Sequence, residues 1–329
     1  MPIGDLIIEQ PNQTKPNQTN LGQTQMTQSD SQASVLDPAF VLTYGPSGSG
    51  KTTDCGYSFP NGLFIAARGA LKSVSSVCGY TPAQVEVQTI DEVTKTILDL
   101  QKKGAKYDSV VIDDFSFLAE QQFAAIEQKF ARSSNVFAKW GALRDCVIDF
   151  RNAARYCKFH VVLNCWEKGP KANPDGTRVR GGPMLSGKLP ESVPAMCDIV
   201  LRCATEPMRK PWTGVYKCEP SPNYVMKDRT DVVSRLITAP MNLAEILRAG
   251  GYQISRLAGL EWQEEFVDTV ATELLKGDGS QDSIIANEFF TKLKDNGVDA
   301  RVARWTLRDA LDRAVIRRAT VVAESQFIF

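Results

Sequence analysis

A continuous apolar run, "AFVLTY" (39–44), stops at a glycine and passes straight into "GPSGSGKTT" (45–53). An apolar run without polar alternation suits a strand covered on both faces. Gly45, Pro46, Ser47, Gly48, Ser49 and Gly50 then make a turn, and Lys51, Thr52 and Thr53 open a helix that has to stop before Pro60. The spacing is G-x-x-x-x-G-K-[ST], in the strand-before, helix-after context that this pattern requires. Such a turn points several backbone N–H groups at one place, and the helix start adds positive charge, so together they cradle phosphate. On this reading residues 45–53 hold ATP. Lys51 reaches the β- and γ-phosphates, and Thr52 places its hydroxyl on Mg²⁺.

The buried-strand pattern recurs. "GLFIAA" (62–67), "YDSVVIDD" (107–114), "KFHVVLNC" (158–165), "CDIVLRC" (197–203) and "GVYKCE" (214–219) all read as strands. Helices are expected at 91–104, 115–130 and 136–157, with Phe137, Trp140, Leu143, Val147 and Ala154 on one face of the last. Strands alternating with helices predict an α/β fold: a mainly parallel sheet covered on both faces. After Pro240 the chain turns helical, with "GDGSQD" (277–282) as a linker. Residues 1–36 are Gln, Asn, Thr and Ser with almost no apolar content after Ile8, which predicts a disordered tail. Its "DLIIE" is either a docking segment or part of a floppy terminus. The domains expected are therefore a tail (1–36), an ATPase core (37–239) and a helical C-terminal region (240–329).

Composition narrows the classes. The 38 cations balance the 38 anions, so any nucleic-acid site has to be a local patch. The eight cysteines form no C-x-x-C pair, which speaks against a zinc site or a disulfide framework and for a reduced, cytoplasmic setting. No apolar run is long enough to span a bilayer, and the start lacks the pattern of a signal peptide. The N-Q-T triplets at Asn12 and Asn17 then belong to the tail composition rather than to glycosylation.

"VVIDD" places Asp113 at a strand tip beside the phosphate loop, where it would hold Mg²⁺. Asp114 either orients the attacking water or caps the next helix. Asn164 either senses the γ-phosphate or is an ordinary turn residue. His160, between apolar neighbours, reads as a packed core residue. The segment 166–189 is a long Gly- and Pro-rich loop carrying Lys168, Lys171, Arg178, Arg180 and Lys188. It suits a single-stranded DNA backbone, with bases stacking on Trp166, or it is a solvated surface loop. Lys227 and Arg229 are either fingers toward a neighbouring subunit's nucleotide or surface charges. Arg301, Arg304, Arg308 and Arg313 recur at helical spacing, as a recognition helix or as a packing face.

From about Phe40 to Arg229 the ordered blocks "YGPSGSGKTT", "PNGLFIAARGALKSV", "SVVIDDFSFL", "VVLNC", "GPMLSGKLPESVPAMCDIVLR" and "YVMKDR" resemble the RecA-like P-loop ATPases of bacteriophages. That group includes recombination and single-strand-annealing partners. The resemblance implies a RecA-type core, ATP and Mg²⁺ at subunit interfaces, a homo-oligomer, and work on single-stranded DNA in recombination or replication in the host cytoplasm. One departure stands out. Where that family's second strand ends in a catalytic glutamate, this chain has Ala67 and Arg68. A slow ATPase, a nucleotide-gated adaptor that binds protein partners through its tail or C-terminal end, and a helicase-type motor all remain open. Residues 282–329, outside the resemblance, are similar to a winged-helix module: helix, turn, helix, then two strand-like pieces.

Overall fold

The computed structural model describes residues 37–104, 106–135, 137–205, 214–218, 221–233, 236, 238–255 and 262–326. The polar tail with its "DLIIE" segment, and residues 327–329 of the apolar C-terminal end, lie outside the described residues.

The strands are β1 (Phe40–Gly45), β2 (Leu63–Ala66), β3 (Ala83–Glu86), β4 (Ser109–Asp113), β5 (His160–Lys168), β6 (Lys171–Ala172), β7 (Arg178–Val179), β8 (Gly182–Pro183), β9 (Ile199–Thr205), β10 (Gly214–Lys217), β11 (Lys227–Asp228) and β12 (Thr238–Pro240). The α-helices are α1 (Lys51–Ser58), α2 (Ile90–Lys103), α3 (Phe115–Lys129), α4 (Ala138–Arg155), α5 (Leu189–Met196), α6 (Leu243–Ala249), α7 (Trp262–Leu275), α8 (Asp282–Asp295) and α9 (Ala300–Gln326). The main sheet runs β12-β10-β9-β1-β5-β4-β2-β3. Pairing is parallel from β9 through β3, whereas β10 against β9 and β12 against β10 are antiparallel. This is the α/β, mostly parallel architecture expected.

Strand alternation explains the two cores. Phe40, Leu42 and Tyr44 of β1 face one side, with Leu143, Val147 and Phe150 of α4. Val41 faces the other, with Cys55 of α1 and Leu243, Ile246 and Leu247 of α6. Six expected strands and four expected helices fall where the apolar runs and amphipathic stretches put them. The α4 face differs in part: Leu143, Val147 and Ala154 are buried, but Phe137 is 79 % exposed and Trp140 is 38 % exposed. Phe137 precedes the first residue of α4 as its N-cap, so it does not share the helix's inward stripe. Trp140 instead stacks on Phe123 of α3, with ring centroids 4.6 Å apart.

The segment 166–189 is built, not an unstructured loop. β5 runs on to Lys168, β6 and β7 form a small antiparallel hairpin, and β8 pairs back onto β5. The Asn173-Pro174-Asp175-Gly176 sequence supplies the turn, with Gly176 N donating to Asn173 O at 3.0 Å.

The winged-helix expectation is corrected at its end. α7, α8 and α9 pack around their own small core of Val267, Val270, Leu274, Leu293, Ala303 and Leu307. The strand-like "TVVAE" lies within α9, which has no Gly or Pro from 300 to 326 to stop it. Its β-branched residues lower helix propensity only slightly.

A candidate phosphate-loop site

The loop connects β1 to α1 at the carboxyl end of the parallel strands, where ligands of open α/β sheets sit. Gly45 is required by close approach: a Cβ there would lie 2.6 Å from the carbonyl oxygen of Cys203 on β9. Gly50 caps α1 at φ 97°, a left-handed conformation that favours glycine. No side chain caps this helix. The Lys51 ammonium lies inside the loop and donates to Gly45 O at 2.9 Å and Pro46 O at 3.0 Å.

Three strand tips converge on α1. Thr52 Oγ1 donates to Asp113 Oδ2 at 2.8 Å, and Asn164 Nδ2 donates to Asp113 Oδ1 at 3.0 Å. Thr43 Oγ1 donates in turn to Asn164 Oδ1 at 2.6 Å, fixing which way the amide faces. Asn164 is fully buried within β5, opposite Thr43 of β1, so the turn-residue alternative falls away. Burial pushes the Asp113 carboxyl above its ordinary range, opposed by the hydrogen bonds from Asn164 and Thr52 and by the Lys51 charge. A buried carboxylate with neutral donors and an adjacent hydroxyl is an oxygen-only set that suits a hard cation with several waters, as Mg²⁺ prefers. Thr52 and Asp113 therefore fit Mg²⁺.

Asp114 caps α3: its Oδ1 accepts from Ser116 N at 2.7 Å. Burial first, and the Asp113 charge second, push its carboxyl up to about 7. Beyond β2, Ala67 is half-buried and Arg68 is exposed, so no acid stands at that tip. Glu86 ends the neighbouring edge strand β3, opposite Ala66. Sequence reading passes over it because "AQVE" has no apolar run. His160 is a packed residue: Nδ1 accepts from Ala39 N at 2.9 Å, and Nε2 lies 2.9 Å from Gln253 O.

The basic candidates scatter. Lys171 and Arg178 lie on the exposed hairpin, Lys168 ends β5, and Lys188 is the N-cap of α5. Arg180 is committed to the carbonyls of Ser221, at 3.0 Å, and Tyr224. Trp166 lies on the rung of Gly45 rather than in the hairpin, and is half-buried. Lys227 and Arg229 lie at the amino end of β9, the opposite end of the sheet from the loop. Lys227 Nζ donates to Cys197 O at 2.6 Å, and Arg229 pairs with Asp198 at 3.1 Å.

Asp54 was not legible in the sequence either. Asp54, in the first turn of α1, is 2 % exposed. It accepts from Tyr216 Oη at 2.6 Å and Leu243 N at 3.2 Å, and pairs with Arg308 of α9 at 3.3 Å. An acid three residues after the loop lysine is the only local sign of this, since its partners are 162, 189 and 254 positions away. Arg308 and Arg313 thus serve packing; Arg313 pairs with Glu245 at 2.8 Å.

A glycine cradle closed by a helix start, with a carboxylate on a neighbouring strand tip, defines the phosphate-loop class of α/β proteins. Residues 37–230 match a family described as AAA domain, and the chain belongs to that family. A crystal structure of the RadB recombinase is similar at 18 % identity and a TM-score of 0.35, covering 57 % of this chain and 84 % of that one. At that similarity the likeness says nothing of what this chain binds. No curated protein matches the chain. Among the described residues, no helix is long and apolar enough to cross a membrane.

Proposed function

We propose that this chain is a RecA-like, Mg²⁺-dependent ATPase that acts on single-stranded DNA as a homo-oligomer in phage recombination or replication. The observation that carries the reading is the constellation of Lys51, Thr52, Asp113 and Asn164 at one end of three adjacent strands. Loop N–H groups and Lys51 bind the phosphates. Thr52 and Asp113 hold Mg²⁺, which when bound neutralises charge on the phosphates. Asn164 orients Asp113. Asp114, the second acid at the β4 tip, accepts the proton of the attacking water. The exposed cations of the β6–β7 hairpin, with Lys168 and Lys188, bind the DNA backbone. Lys227 and Arg229 reach a neighbouring subunit's nucleotide only once their own contacts open.

A second reading has its own support. Ala67 and Arg68 replace the acid expected after β2, and the Asp114 carboxylate is already engaged by Ser116 N. The chain is then a nucleotide-gated adaptor with little turnover. ATP turnover with and without single-stranded DNA separates the two, with Lys51→Ala as the blank and Asp114→Ala alongside. The ATPase reading expects DNA to raise the rate and Asp114→Ala to abolish it. Turnover equal to the blank, with ATP still bound, selects the adaptor.

A further inference from the structure

A cavity of about 680 Å³ lies between α1 and the helices α8 and α9. Its walls include Tyr57, Met241, Phe290, Arg301, Arg304 and Trp305. It adjoins the phosphate loop. Gly214, also in the wall, is so close to the loop that a Cβ there would stand 2.6 Å from Ser49 O. Met241 bridges the two: its methyl lies 3.7 Å from where a Gly50 Cβ would be. Tyr57 follows Lys51 by six positions, about 9 Å along α1 at ~1.5 Å per residue.

The lining has a definite chemistry. Trp305 meets Tyr57 edge-on, with centroids 5.2 Å apart, and the Arg308 guanidinium lies over the Tyr57 ring at 4.7 Å. Arg304 is exposed and has no carboxylate partner among the described residues. Arg301 pairs with Asp299, at 3.5 Å, as its one carboxylate among the described residues. Aromatic plates suit a planar heterocycle, and guanidinium groups suit sugar hydroxyls and phosphate oxygens. The volume falls within the range of small-ligand pockets.

We infer that this cavity takes the base and sugar of the nucleotide whose phosphates lie on the loop, with Trp305 stacking on the base and Arg304 facing the sugar. This rests on the nucleotide reading above. It gives Arg301 and Arg304 a use other than DNA recognition, and assigns a binding role to α9, which lies beyond the residues matched by the family. The Arg308–Asp54 pair then links occupancy of the cavity to the loop helix.

The test uses the full chain and two probes with Mg²⁺: ATP, and inorganic tripolyphosphate, which lacks base and sugar. Binding is measured for wild type, Arg304→Ala, Trp305→Leu and Lys51→Ala. The expected result is an ATP affinity about tenfold weaker in Arg304→Ala and Trp305→Leu, with tripolyphosphate affinity unchanged. Wild-type ATP affinity in both variants overturns the inference, and so does an equal loss of both probes, which would make Arg304 a phosphate contact. Loss of both probes in Lys51→Ala alone leaves the loop reading standing without the cavity. Retention of both in Lys51→Ala defeats the loop reading itself. Arg304→Ala removes an exposed side chain and carries the test if Trp305→Leu does not fold.

Discussion

Asp113 and Asp54 make an instructive pair, because both are buried carboxylates at α1 and they are satisfied in different ways. Asp113 approaches the helix from β4 and meets Thr52, while Asp54 belongs to the helix and points away from that side, since residues two apart are roughly 200° apart on a helix. Asp113 is held by two neutral donors, Thr52 and Asn164. Asp54 has neutral donors as well, Tyr216 and Leu243 N, but also the Arg308 guanidinium. Burial raises both carboxyls. The difference teaches where the chain has reserved a place for a cation. Asp54 has one built in, and it ties the C-terminal helices to the core. Asp113 makes no ion pair among the described residues; the Lys51 charge acts on it only from a distance, and one of its two hydrogen bonds comes from the hydroxyl of the residue that follows the loop lysine.

The largest expected effect tests the Asp54 side. Arg308→Ala leaves a buried charge without its cation, which should cost about 3 kcal/mol, the lower end for such losses because Arg308 is partly open to solvent. Urea unfolding measures it. A loss under about 1 kcal/mol would mean that Tyr216 and Leu243 suffice. Lys51→Ala should act on the other side: ATP affinity falls roughly 10- to 100-fold, the worth of a charged hydrogen bond, while the unfolding midpoint hardly moves. Calorimetric titration reads the first and thermal melting the second.

Isosteric replacement sharpens the contrast. Asp113→Asn keeps most of its hydrogen-bonding shape and removes a charge that burial disfavours, so stability should hold within about 1 kcal/mol. Asp54→Asn removes one of the two carboxylates that Arg308 pairs with, leaving Asp312 at 3.4 Å, and should destabilise by about 1–2 kcal/mol. Equal effects from the two would erase the distinction.

The smallest effect is a control remote from α1. Burial lowers the His160 pKa, against the opposing pull of the Gln253 carbonyl and the Asp108 charge. The neutral ring is favoured in the folded state, where Nδ1 accepts from Ala39 N. The unfolded chain therefore takes up the proton at higher pH. The contribution of His160 is complete above the ordinary value of about 6.5 and is lost as pH falls below it toward the folded value. Urea midpoints at pH 7.5 and 5.5 should show the fall, and His160→Gln should reduce it. An undiminished fall in the variant would assign the effect to other groups.

Legibility follows the same divide. β1, β2, β4, β5, β9 and β10 could be read because strands buried on both faces are continuous apolar runs. β3 could not: an edge strand with exposed Ala83, Gln84 and Glu86 carries no such run. α5 was hidden by Pro190 and Pro194, though Pro190 sits in its first turn, where proline is tolerated. Within the site, residues 45–53 and Asp113 were legible because the loop is contiguous and the acid ends an apolar strand. Asn164 was half-legible, placed near the loop but two ways open, because register rather than sequence brings it opposite Thr43. The Asp54–Arg308 junction was not legible. Charge pairing between positions 254 apart leaves no periodic trace, and an arginine at helical spacing looks the same whether it faces DNA, solvent or a buried acid.

The most direct measurement is equilibrium binding of ATP to the wild type and to Asp113→Asn, each with Mg²⁺ and with EDTA. The central claim is that the loop and the β4 tip form one Mg²⁺–nucleotide site. Wild type should bind ATP at least about tenfold more tightly with Mg²⁺, and Asp113→Asn should lose that difference while remaining folded. Equal Mg²⁺ enhancement in both proteins, or no ATP binding in either, would contradict it.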